Sequence, residues 1–99
     1  MKHQIRNKIY GTFFRILSFT MKDEENYNIV IDKIASKLKK LRIEKGFTSY
    51  ENFAYQNDLP RVQYWRMEKG TNFTIKNLLK ILEIHKISIE DFFNNDFDL

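Results

Sequence analysis

Ninety-nine residues, 42% hydrophobic and 15% aromatic, suffice for one small domain with its own core. A single proline and three glycines argue against a loop-rich or all-β fold, and the absence of cysteine excludes disulfides, thiolate metal sites and cysteine nucleophiles. The net charge of +4 is unevenly placed: residues 1–20 hold four bases and no acid, residues 61–86 hold six bases against Glu68 and Glu83, and residues 87–99 hold four acids and no base. Any nucleic-acid reading must therefore rest on a local basic face, not on bulk charge.

In residues 1–20, Ile5, Ile9, Phe13, Ile16 and Leu17 could line one side of a helix. A basic start before the apolar stretch at 12–20 has the outline of a secretory leader, but the stretch is short and Arg15 interrupts it. No apolar run approaches the length needed to span a bilayer, so no membrane role is expected. The charge-mixed, periodic part begins at Met21-Lys22. Residues 1–20 thus read as an upstream extension of the coding sequence, and residues 1–27 are expected to be mobile or loosely docked.

A domain over 28–95 follows. Ile31, Ile34, Leu38 and Leu41 recur at steps of three and four and predict helix 1 over 28–45. Lys37, Lys39 and Lys40 read as its solvated side, and Gly46 as its stop. Ser49 has the chemistry of an N-cap for a short helix over 49–57, with Tyr50, Phe53 and Ala54 as its apolar face. Asn57-Asp58 supplies a tight turn, because both residue types tolerate the left-handed conformation. Pro60 suits a first helical position, which opens helix 3 over 60–69 with Tyr64 and Met67 inward and Gly70 at its end. Thr74 caps helix 4, whose expected buried stripe is Ile75, Leu78, Leu79 and Leu82. Ser88, with Asp91 three residues on, opens helix 5, packed down by Ile89, Phe92 and Phe93. Residues 96–99 close the chain as an acidic tail.

Five short helices with a tight turn before the third suggest a helix-turn-helix core. The segment Leu41-Arg42-Ile43-Glu44-Lys45-Gly46-Phe47-Thr48 resembles the end of helix 1 in the lambda-repressor/Cro-like (XRE-type) helix-turn-helix family. Phe53-Ala54 resembles the Leu-Ala of that family's second helix, and Leu59 takes its apolar site after the turn. Arg66-Met67-Glu68-Lys69-Gly70 is similar to the ending of its recognition helix. Ile75, Leu78-Leu79, Ile81, Ile87-Ser88 and residues 90–93 follow its closing helices. The resemblance covers about residues 33–93. This chain departs from the pattern by one extra residue between Gly46 and Ala54, by Asp58 at the usual turn glycine, by Pro60 at the usual Ser or Thr, by His85 at an apolar site and by Lys86 at a frequent glycine.

The resemblance implies an all-α, compact five-helix domain that binds double-stranded DNA and regulates transcription, as a repressor for example. A helix fits the major groove, and side chains near its N-terminal end meet base edges. On helix 3 these are Arg61, Val62 and Arg66. Arginine can fork onto guanine's two acceptors where lysine is only a point charge, and two of the three arginines after residue 21 fall on this helix. Val62 could touch a thymine methyl. By family position Tyr50 approaches the bases as well. Ser49, Lys69, Thr71, Asn72 and Lys76 are the expected phosphate contacts, which set register and salt dependence without reading sequence. In the family, Arg42 and Glu68 make a partly buried ion pair between helices 1 and 3, so Arg42 is expected to be structural.

Simpler readings compete. Tyr64 and Met67 are core by spacing. Trp65 could cover the junction with helix 4, stack on a sugar-phosphate strand or meet a partner protein. His85 has no second His or any Cys for a metal site and reads as packing. No phosphate loop, triad spacing or ligand cluster appears, so neither an enzyme nor a cofactor or metal site is expected. The family tends to bind as a homodimer, with Phe92, Phe93 and Phe97 the first candidates for the contact. The same fold could serve instead as a protein-interaction module, such as the antitoxin of a two-protein operon or a mobile-element regulator. Either role is expected in the cytoplasm.

Overall fold

Five helices follow one another in the computed structural model, which describes residues 23–71 and 73–94: α1 Asp23–Glu44, α2 Tyr50–Gln56, α3 Arg61–Lys69, α4 Ile75–His85 and α5 Ile89–Phe92. No strand occurs among the described residues. Expectations for residues 1–22, for Asn72 and for Phe97 lie outside them.

Local chemistry explains most boundaries. Ser49, Thr74 and Ser88 each accept a hydrogen bond through the side-chain oxygen from the amide three residues on, at 3.2, 3.1 and 3.1 Å. Each satisfies one of the amides left over at a helix start. Pro60 is the N-cap of α3, not its first residue: its ψ is 119° and its carbonyl accepts from the Tyr64 amide at 3.0 Å. Gly70 ends α3 in the left-handed region at φ 85°, which L side chains rarely adopt; a Cβ there would lie 2.8 Å from Oδ1 of the exposed Asp32 side chain, which can swing aside, so the backbone angle is what calls for glycine. Asp58 and Lys86 hold φ of 56° and 58° without that freedom. Helix α1 starts five residues earlier than the apolar period indicated. Residues 23–27 add no apolar residue to the core, but Asp23, Glu24 and Glu25 place negative charge at the positive helix end.

The core gathers around Phe53. Its ring packs edge-on to Phe47 (5.3 Å), tilted against Tyr64 (5.0 Å) and parallel to His85 (5.3 Å, 8° between planes). Leu38, Ala54, Met67, Leu78, Ile81, Leu82 and Phe92 close it. Two expectations are corrected. On α4 the buried residues are Leu78, Ile81 and Leu82, whereas Ile75 and Leu79 are 62% and 46% exposed. At about 100° per residue both sit on the flank of the inward face. Lys37 is not part of a solvated side: it is half-buried, its ammonium donates to the Phe92 carbonyl at 2.9 Å and lies 5.2 Å from the Phe92 ring centre. The pair ties α1 to α5, and Lys39 and Lys40 alone remain exposed.

Candidate nucleic-acid interface

Helix α3 is fixed from behind and open in front. Tyr64 and Met67 anchor it, 1% and 2% exposed. Glu68, one residue further on, meets Arg42 of α1 through two parallel hydrogen bonds: Nε to Oε2 at 2.8 Å and Nη2 to Oε1 at 3.1 Å. The third face of the guanidinium donates to the Phe47 carbonyl at 2.7 Å. Both side chains are almost wholly buried. The planar fork of arginine matches a carboxylate in this way, and lysine could not reproduce the geometry. Hydrogen bonding to Glu68 raises the Arg42 pKa despite its burial. The Tyr64 hydroxyl is buried and makes no hydrogen bond of ordinary geometry; burial, and then Glu68, push its pKa far above the usual phenol value.

On the open side, Arg61, Val62, Gln63, Trp65, Arg66 and Lys69 are all exposed. Val62 and Arg66 share one row at a four-residue step, and Arg61, Trp65 and Lys69 share the next. All three charges on this side are positive, because Glu68 is turned inward. Arg61 Nη1 approaches Glu51 Oε2 of α2 at 3.4 Å, a contact exposed enough to be weak. It leaves Arg61 free to exchange Glu51 for another acceptor.

The expected flanking contacts are placed unevenly. Tyr50 is half-buried against the core, and its ring centre is 6.4 Å from that of Trp65. The Ser49 oxygen already serves as the α2 cap. The Thr71 hydroxyl donates to the Arg66 carbonyl at 2.9 Å. Lys76 stands exposed in the first turn of α4, and Lys69 lies with its ammonium 5.7 Å from the Trp65 ring centre. Two participants carried no sequence signal: Glu51, ten residues from Arg61, and the Tyr50–Trp65 pairing across the turn.

His85 packs flat on Phe53 with Nε2 buried and unpartnered. Burial, and then the charge of Lys45, lower its pKa. Phe92 is fully buried and Phe93 half-buried, so Phe92 cannot form a dimer contact as expected from the sequence. Ile75 and Leu79 of α4 and Ile89 of α5 are exposed apolar side chains.

The chain is similar to Control protein C.MunI of Mycoplasma sp, with 41% identity over 64 residues that make up 64% of this chain and 86% of that protein. No family model matches the chain. No solved structure matches it either.

Proposed function

The chain belongs to the lambda-repressor/Cro-like (XRE-type) helix-turn-helix family of regulators, and from that premise we propose that it binds double-stranded DNA sequence-specifically through α3 and regulates transcription. One observation carries the reading. The helix is locked by Tyr64, Met67 and the Arg42–Glu68 pair, while its outward side presents Arg61, Val62 and Arg66 with no acid of its own.

Major-groove entry would bring Arg61 and Arg66 to guanine acceptors and Val62 to a thymine methyl. Lys69, Thr71, Asn72, Lys76 and Ser49 would meet phosphates and fix register. Tyr50, by its place beside Trp65, is better suited to the groove wall than to base edges. The similar Mycoplasma protein is by name a control protein, which supports regulation over catalysis.

Ile75, Leu79 and Ile89 favour a homodimer. Ile75 and Leu79 lie one turn apart on α4, a contiguous exposed apolar patch commonly marks a partner, and two copies would place two α3 helices on half-sites about one helical turn apart. Their burial against an unrelated protein is the rival reading. A band-shift titration across salt concentrations tests the function. Binding to a selected duplex should weaken steeply as salt rises. Negligible affinity for every duplex at low salt would end the proposal.

A further inference from the structure

Trp65 is the chain's single tryptophan, and it lies outside the buried core cluster. Its neighbours Tyr64 and Met67 supply the core, while Trp65 keeps 38% of its surface exposed on the outer side of α3. It leans toward the start of α2, where the Tyr50 ring lies 6.4 Å away at 47°. Lys69 reaches over it to 5.7 Å from the ring centre, and Arg61 precedes it by one turn on the same row. The row therefore reads cation, flat apolar ring, cation.

A complementary partner needs negative charges flanking a small apolar face. A nucleic-acid strand has that alternation, phosphate then sugar. The position within the motif points the same way. In a helix-turn-helix the base-reading row is carried by the second helix, and the first crosses the backbone. Trp65 sits between the Val62–Arg66 row and the first residue of α2, which is where the strand lining the groove would pass. We propose that Trp65, backed by Tyr50, packs against a deoxyribose of that strand while Lys69 meets the adjoining phosphate. The contact limits how deeply α3 enters the groove and is blind to sequence. It rests on the DNA-binding reading above, and it makes Tyr50 a positioning residue behind Trp65.

Because Trp65 is the sole tryptophan, the intact chain reports on itself. The probes are a duplex recovered by selection from a random pool and an unrelated duplex of equal length, both at low salt, with complex formation followed by band shift. Trp65 emission should shift to the blue and lose acrylamide quenching with both duplexes. Trp65→Ala should weaken both by the same factor, about tenfold from the apolar surface left unburied. It should leave the salt dependence unchanged, whereas Lys69→Ala lowers that slope by about one. Trp65→Phe should recover part of the loss, and helical circular dichroism checks that each variant folds.

Unchanged emission and quenching in a complex seen by band shift would overturn the inference and leave DNA binding standing. So would a Trp65→Ala loss confined to the selected duplex, which would mean a base contact. If neither duplex is bound at all, the functional reading falls together with this one.

Discussion

Replacing Arg42 by Met removes a guanidinium that makes hydrogen bonds of 2.8 and 3.1 Å to Glu68 and 2.7 Å to the Phe47 carbonyl. The Glu68 side chain, 7% exposed, would be left charged without its partner. Breaking a buried pair from one side costs about 3–5 kcal/mol. Against a domain stability of about 5–15 kcal/mol that is a large fraction, and at roughly 4–8 °C per kcal/mol the melting temperature should fall by about 12 °C or more. Replacing both partners, Arg42→Met with Glu68→Leu, removes the stranded charge and should recover much of the loss. The Phe47 carbonyl still lacks its donor, so about 1–3 kcal/mol can remain. Urea melts of the four proteins in a double-mutant cycle measure the coupling. Additive losses, or a loss below about 1 kcal/mol for Arg42→Met alone, would refute the reasoning. The folded fraction of Arg42→Met should still bind duplex DNA, since Arg42 faces the core.

Lys86 holds φ 58° at the end of α4, so Lys86→Gly should stabilise by about 0.5–1 kcal/mol in thermal melts; Gly70→Ala should do the reverse, by about 1 kcal/mol, because φ 85° strains any residue with a Cβ. His85 titrates below its ordinary value in the fold, so as pH falls the unfolded chain takes up the proton first. Its contribution is whole above about pH 6.5 and is lost between there and the lowered folded value, so wild-type stability should fall across that window more than that of His85→Leu. In binding assays Arg61→Ala and Arg66→Ala should each cost about 1–3 kcal/mol and relax base preference, whereas Lys76→Ala should weaken all duplexes alike and reduce the salt slope by about one. Selection of variant sites for each protein separates the two patterns.

Much of this molecule is written within four residues of chain. Ser49, Thr74 and Ser88 cap their helices because each side-chain oxygen reaches an amide three positions away, and Gly70 stops α3 because it can turn left-handed. Such contacts are legible in order and spacing alone, and so were the inward Tyr64 and Met67. The outward placement of Arg61, Val62 and Arg66 followed once they pointed in. Pairings across the fold were not legible that way. The Arg42–Glu68 bridge spans 26 positions, and the family resemblance implies it where spacing does not. Lys37 on the Phe92 carbonyl spans 55, and Trp65 beside Tyr50 depends on how two helices meet at the turn. On α4 the spacing admitted Ile75 and Leu79 as core, and the fold chose Ile81. Periodicity marks an apolar stripe, but the neighbouring helices decide which edge of it is covered, and that depends on their distance and angle in space.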